Sequence, residues 1–270
     1  MRTDMDAIFG LNCSHTKDRY MNAFSKTESA YEKFGADEPF YAVLTEEKYK
    51  RNQLDQDLFF NTGKELLARQ MQLIHDRGFH VPRGNALDFG CGVGRLTNAM
   101  AAYFDEVIGV DISSTMIGNA NKLKRRSNCS FQVNKRPDLS VFDENQFDFI
   151  YSDITIQHIP SPESENYIRD FFRILAPGGL AIFLVPDGPV LRPNSLPARF
   201  DKFYREQVRP FHKRIRGKYE VQVHRISQPR VETIIEESGG NLLSVESHPK
   251  WAERSKRYKP LYYWASKPAG

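Results

Sequence analysis

Between positions 85 and 185, short apolar runs alternate with stretches whose apolar residues recur at helical spacing. Ala86–Phe89, Glu106–Val110, Cys129–Val133, Phe147–Tyr151 and Leu180–Val185 read as strands, and the last is apolar throughout, as a strand in the middle of a parallel sheet is. Helices are predicted between them. One covers 94–103, with Leu96, Ala99, Met100 and Tyr103 on one side; one covers 113–122, opened by Ser113; one covers 162–175, with Pro162 near its first turn and Pro177-Gly178-Gly179 ending it. Strand–helix alternation of this kind is the signature of an α/β fold.

Both flanks depart from the pattern. The first sixty residues are rich in aromatic and charged side chains (Tyr31, Phe34, Phe40, Tyr41, Phe59 and Phe60 among them) with loose periodicity, and predict short helices and loops packed on something larger. Thr62, with Glu65 three residues on, has the spacing of a capping box; Leu66, Leu67, Met71 and Ile74 follow at helical intervals, and Gly78 closes the helix. After Val185, prolines at 186, 189, 193 and 197 interrupt the alternation. It resumes with a helix from Ser227 to Ser238, stopped by Gly239-Gly240, and two strands, Asn241–Ser247 and Leu261–Ser266.

Composition narrows the classes. A chain of 270 residues with 40% hydrophobic content buries a core without staples, which excludes a disordered protein. The longest apolar run, Leu180–Val185, falls far short of the ~20 residues of a membrane helix, and the N-terminus carries no apolar leader. Cys13, Cys91 and Cys129 lack metal-ligand spacing and argue against both a disulfide framework and a zinc site, and no ligand cluster demands another metal; they point to a reducing, cytoplasmic setting. Net charge is only +4, but residues 192–218 carry nine basic and two acidic side chains, so the positive charge is local and suits an anionic partner.

The chemistry concentrates in Asp88-Phe89-Gly90-Cys91-Gly92-Val93-Gly94-Arg95-Leu96, between a predicted strand and a predicted helix. Glycines there permit a tight turn and close approach of a ligand to the backbone. Asp111, at the tip of the next strand, is placed to accept hydrogen bonds from both hydroxyls of a ribose. Dinucleotide sites prefer G-x-G-x-x-G, whose third glycine is replaced here by Arg95. The carboxylate of Asp88 would repel a pyrophosphate and suits an ammonium or sulfonium, so these residues favour an adenosine-bearing cation over NAD.

Asp88-x-Gly90-x-Gly92-x-Gly94, Asp111, Phe147-Asp148-Phe149-Ile150, Gln157-His158-Ile159 and Pro177-Gly178-Gly179 together resemble a class I S-adenosylmethionine-dependent methyltransferase of the small-molecule "methyltransferase domain" type, over about 84–185. The resemblance implies a Rossmann-like, doubly wound sheet of seven strands with the last antiparallel. It implies one domain divided into an N-terminal helical cap (1–83), a cofactor core (84–185), a substrate lid (186–226) and a C-terminal helix with a strand hairpin (227–270). By the same resemblance, Asp88 lies near the methionine amino group, Gly90, Cys91, Gly92 and Gly94 form the methionine turn, Asp111 binds the ribose and Ile112 packs on adenine. Asn134 takes the adenine-edge position, Ser152 and Asp153 face the sulfonium and methyl, and Phe60 and Thr62 belong to the element that closes over S-adenosyl-L-methionine. Arg95 pairs either with the cofactor carboxylate or with an acid of the N-terminal segment.

Methyl transfer to an oxygen or nitrogen needs the acceptor held close, water excluded and a proton removed. His158, six residues past Ser152, is the first candidate base, with loop fixing as its alternative role; His212 and His224 are further candidates. In the lid, Phe203, Tyr204, Val208 and Phe211 with the basic residues read either as a cap for an anionic or aromatic acceptor or as a solvated face. Two rival functions stay in view. Against an RNA methyltransferase, Ser152-Asp153-Ile154-Thr155 replaces the signature of base amino-group methylation, no Pro-Cys nucleophile is present and no RNA-binding module is visible. A non-catalytic S-adenosylmethionine-binding protein would keep Asp88 and Asp111 but not turn over.

Overall fold

The computed structural model describes residues 25–44, 55–188, 196, 223–248 and 258–269. Seven strands form one sheet: β1 (Asn85–Phe89), β2 (Glu106–Asp111), β3 (Cys129–Val133), β4 (Phe147–Ser152), β5 (Leu175–Asp187), β6 (Asn241–Ser247) and β7 (Lys259–Ser266). Their spatial order is β3-β2-β1-β4-β5-β7-β6. The first five are parallel, and β7 runs antiparallel to both β5 and β6. The strand order reverses at β1, flanked by β2 and β4, so the crevice for a ligand opens at the carboxyl ends of these three.

Both faces of the sheet are covered, which is why the central strands carry unbroken apolar runs. Leu87, Phe147, Ile150, Phe171, Phe183 and Ile234 fill one side, with α6 (Glu163–Ile174) and α7 (Gln228–Glu237). Ala86, Met100, Phe149, Tyr151, Ile182 and Trp264 fill the other, with α3 (Gln56–Asp76) and the short α4 (Arg95–Met100). Adjacent residues of one strand enter opposite clusters, the period-two rule of a pleated sheet.

Two boundaries differ from expectation. Helix α3 begins at Gln56, capped by Asp55, whose side chain accepts from the amides of Asp57 and Leu58; Thr62 lies inside it and turns its hydroxyl to Phe59 O at 2.7 Å. A capping-box spacing within a helix is satisfied in this way by i−3 back-bonding, and the stronger cap upstream sets the start. Strand β5 begins at Leu175, paired with Phe147, and its register shifts before Leu180 pairs with Phe149. The Pro177-Gly178-Gly179 run is thus an irregularity in the strand rather than a separate loop.

The N-terminal aromatics form a third cluster. A helix over residues 25–37 (α1) and a second, α2 (Pro39–Leu44), bring Phe34 and Phe40 against Phe59, Phe60, Val93 and Met116. Glu32 of α1 reaches α5 (Ser114–Lys122), where its carboxylate accepts from the amides of Ser114 and Thr115 at 2.7 and 2.9 Å and from the hydroxyls of Ser113 and Thr115. It caps another element's N-terminus, whose own Ser113 Oγ accepts from Met116 N. Burial opposes the charge on Glu32, but the hydrogen bonds from Thr115, Ser114 and Ser113 outweigh it and hold the carboxyl down to about 2. Most of the expected lid, with Phe203, Tyr204, Val208, Phe211, His212 and the basic run 192–218, lies outside the described residues.

Candidate functional site

A cavity of about 260 Å³ opens at the carboxyl ends of β1, β2 and β4, beneath α1 and α2. Its floor is the turn from β1 into α4. Gly90, Gly92 and Gly94 have φ of 77°, 53° and 80°, which side-chain-bearing residues rarely adopt. Space is equally restrictive: a Cβ on Gly90 would stand 2.1 Å from Thr155 Oγ1, and one on Gly94 2.6 Å from the ring of Phe131. The amides of Gly90 and Cys91 both donate to Val110 O, at 2.8 and 2.9 Å, binding the turn to β2.

Asp111, at the tip of β2, is oriented by the same turn. Gly92 N donates to its Oδ2 and Ser113 N to its Oδ1, each at 2.9 Å. Burial raises its pKa against these bonds. Each carboxylate oxygen keeps a lone pair for a further donor, an arrangement that fits two vicinal hydroxyls. Asp88, at the end of β1, is 2% exposed and accepts from Thr97 Oγ1 at 2.6 Å. Desolvation pushes its carboxyl up to about 6, against the hydrogen bond from Thr97 and the charge of Arg95.

Arg95 and Asp153, each with a side chain 5% exposed, face one another with Nη2 3.7 Å from Oδ2. Arg95 therefore meets an acid of the β4 tip, while the N-terminal acids within 1–24 and 45–54 lie outside the described residues. Arg95 Nε is buried with no hydrogen-bond partner among the described residues, a donor that fits an anionic group of a ligand. Tyr262 Oη donates to Asp153 Oδ1 at 2.7 Å. Ile112, Cys91 and Asn134 also line the cavity. Asn134 ties off the loop after β3: its amide nitrogen donates to Asp138 O and its side-chain oxygen accepts from Arg136 N. Burial pushes the Cys91 thiol well up, keeping it a packing group.

His158 reaches the cavity from a short 3₁₀ turn, Ile156–His158. Its Nε2 lies 3.0 Å from Gln157 Nε2; with the amide as donor, the ring carries its proton on Nδ1. The Tyr31 ring stands 5.9 Å away, and Thr27 Oγ1 donates to His158 O.

Three expected residues do not reach the cavity. Ser152 is fully buried and turns its hydroxyl to Phe89 O at 3.1 Å. Phe60 packs in the third aromatic cluster with the Arg125 guanidinium 4.1 Å above its ring, and Thr62 is spent on its own helix. His224 likewise stands outside the lining, its amide donating to Gln157 O at 2.7 Å. The cover over the cavity is α1 and α2 instead. Thr27, Tyr31 and Phe34 all line it, at the i, i+4, i+7 spacing of one helix face, a signal present in the sequence. Asp153 meeting Tyr262 across β5 has no such signal.

Residues 86–179 match the model of a family described as a methyltransferase domain. Phosphoethanolamine N-methyltransferase 1 of Arabidopsis thaliana is 37% identical over 100 residues, which are 36% of this chain and 20% of that protein. Ubiquinone biosynthesis O-methyltransferase of Pseudomonas fluorescens (strain SBW25) is 32% identical over 99 residues, 36% of this chain and 42% of that one. The chain thus spans from a fifth to under half the length of these relatives. Among solved structures, magnesium protoporphyrin IX methyltransferase of Synechocystis PCC 6803, with bound SAH, superposes over 90% of this chain and 99% of that one with a TM-score of 0.57 at 16% identity, a likeness of fold.

Proposed function

We propose that this chain, whose residues 86–179 match the model of a methyltransferase domain, transfers a methyl group from S-adenosyl-L-methionine to an oxygen or nitrogen of a small molecule. The observation that carries the reading is the pairing of Asp111, held by the amides of Gly92 and Ser113, with Asp88 across one glycine turn in one cavity. Two separated carboxylates and a close-approach backbone fit the hydroxyls and the ammonium of such a cofactor, and the orphan Nε of Arg95 fits its carboxylate. Ile112 and Asn134 form the adenine end.

When bound, S-adenosylmethionine supplies a methyl carbon already activated by its sulfonium. The protein's part is to orient, to exclude water and to move one proton. α1 does the excluding: Tyr31 and Thr27 close over the cavity at His158, with Glu32 fastening the helix to α5. His158 accepts the acceptor's proton at Nε2 once that nitrogen exchanges Gln157 for the acceptor. Tyr31, Ile159, Val223 and Tyr258 share the cavity lining with His158, which favours a flat, weakly polar acceptor. The expectation of an anionic acceptor rests on the basic residues of 192–218, which lie outside the described residues. The free thiols of Cys91 and Cys129 support a reducing, cytoplasmic setting, and no helix among the described residues is long and apolar enough to cross a membrane.

The test is transfer of labelled methyl from S-adenosylmethionine into host extract, separated into small-molecule, lipid, RNA and protein fractions. Label in the small-molecule or lipid fraction, absent with Asp111→Ala, is the expected result. Label in RNA alone overturns the acceptor class, and cofactor binding without label in any fraction turns the reading to a binding protein.

A further inference from the structure

Among the described residues, the side chain of Asp153 is clasped from two sides, and one of these two contacts is a hydrogen bond. Tyr262 Oη stands 2.7 Å from its Oδ1, whereas Arg95 Nη2 is 3.7 Å from its Oδ2, a charge contact beyond hydrogen-bond length. The hydroxyl is therefore the group that orients the carboxylate. Tyr262 is 3% exposed and belongs to the cluster with Phe149, Tyr151 and Leu184, while its neighbour Tyr263 enters the cluster on the other face. The pairing of Tyr262 with Leu184 in the antiparallel β5–β7 ladder decides which tyrosine faces Asp153; a slip of one residue would exchange them. Burial, then the neighbouring Asp153 charge, pushes the Tyr262 phenol far up, so it stays a donor across the working pH range.

Among the described residues, the charges around this point do not balance. Asp153 faces Arg95, whose charge also acts on Asp88, and all three line the cavity. With Asp88 assigned to the ammonium and Arg95 Nε to the carboxylate of the proposed cofactor, Asp153 is the carboxylate left among these described residues to favour a further positive charge over a neutral group of the same shape.

We propose that Tyr262 is a positioning residue: by donating to Asp153 it holds that carboxylate toward the cavity, so that the site distinguishes a cationic sulfur from a neutral one. The assignment rests on the proposed cofactor. It gives the C-terminal hairpin a part in the site, letting the spent product, neutral at sulfur, leave more readily than the sulfonium donor.

Two probes that differ in this charge decide it: S-adenosylmethionine, a sulfonium, and S-adenosylhomocysteine, a thioether. Their Kd values are measured by calorimetry on the full chain for wild type, Tyr262→Phe, Asp153→Asn and the double variant. Tyr262→Phe is expected to lower the preference for the sulfonium on the order of tenfold, leaving the thioether within about twofold. Asp153→Asn lowers it at least as far, and Tyr262→Phe adds nothing in that background. Parallel loss of both ligands, an unchanged preference, or a Tyr262→Phe effect that persists in Asp153→Asn overturns the assignment. If Tyr262→Phe does not fold, Asp153→Asn decides alone, and an unchanged preference refutes the proposal. A wild-type chain that binds neither probe overturns the cofactor reading and this assignment with it. Binding of both with an unmoved preference overturns only this one.

Discussion

Gly92 and Asp111 are joined by one hydrogen bond, from the glycine amide to Oδ2 at 2.9 Å, across 19 positions of sequence. It holds the turn after β1 to the tip of β2 and leaves the carboxylate facing the cavity. With Ser113 N on the other oxygen, the side chain cannot rotate without abandoning two amides.

Asp111→Ala is therefore expected to weaken S-adenosylmethionine binding by about 1.5–3 kcal/mol, the range of hydrogen bonds to a charged group. Calorimetry checks it. Unchanged affinity would remove the ribose assignment.

Asp88 predicts a pH dependence. Its folded pKa is raised by burial to about 6 from 3.8, so the folded state holds its proton more tightly than the unfolded chain. The stability this contributes is complete below 3.8 and is lost as pH rises through about 6. Binding of an ammonium needs the ionised form and runs the other way. S-adenosylmethionine affinity should rise with pH to a plateau above about 6 and fall roughly tenfold per unit well below it. In Asp88→Asn that slope should vanish, and a slope that persists there belongs to another group.

Glu32 is expected to matter to cover and stability together. Glu32→Ala removes the trans cap from α5 and should cost about 1–2 kcal/mol, near the upper range for a helix cap. In wild type the depressed pKa gives stability that is present above 4.5 and lost as pH falls towards about 2. Hydrogen exchange in α1, faster in Glu32→Ala than in wild type, would mark the loosened cover; equal protection would show that the cap does not fasten it.

Gly94 and Gly178 make a matched pair, with φ of 80° and 79°. A Cβ on Gly178 meets nothing within 4 Å, whereas on Gly94 it strikes Phe131. Gly178→Ala should cost about 1–2 kcal/mol of backbone strain alone. Gly94→Ala should cost more, by about 1–3 kcal/mol of overpacking, and should also perturb cofactor binding. Denaturant melts of the two variants compare them, and equal losses would show that Phe131 simply moves aside.

His158→Ala should lower turnover while S-adenosylmethionine affinity stays within about twofold, since base catalysis contributes ~10²–10⁴-fold to rate. Single-turnover kinetics with the acceptor found by labelling measure it. Wild-type turnover would leave the residue a loop-fixing role, through the bond its carbonyl accepts from Thr27.

The strand order along the chain and the glycine turn after β1 were legible without the fold. The strands the sequence predicted lie within a few residues of those observed, because period-two alternation and fully apolar runs report burial on one or two faces of a sheet. Asp88, the glycines and Asp111 were legible for a similar reason, since a positive-φ turn between strand and helix demands glycine locally. The start of α3 was misread, because a capping-box spacing at Thr62 reads the same inside a helix as at its end.

Tertiary structure alone decided the rest. Phe60 belongs to an aromatic cluster and the cavity's cover falls to α1 and α2; the one-face spacing of Thr27, Tyr31 and Phe34 is in the sequence, but what that face packs over is set by how the helices pack. Ser152 and Asp153 are neighbours in sequence, yet one turns into the core and the other to the cavity. Tyr262 meets Asp153 across 109 positions because β7 inserts antiparallel beside β5 in one register. A local pattern records how a residue relates to its own strand or helix. A contact across the sheet depends on strand order and register, which arise only when every strand has found its neighbour.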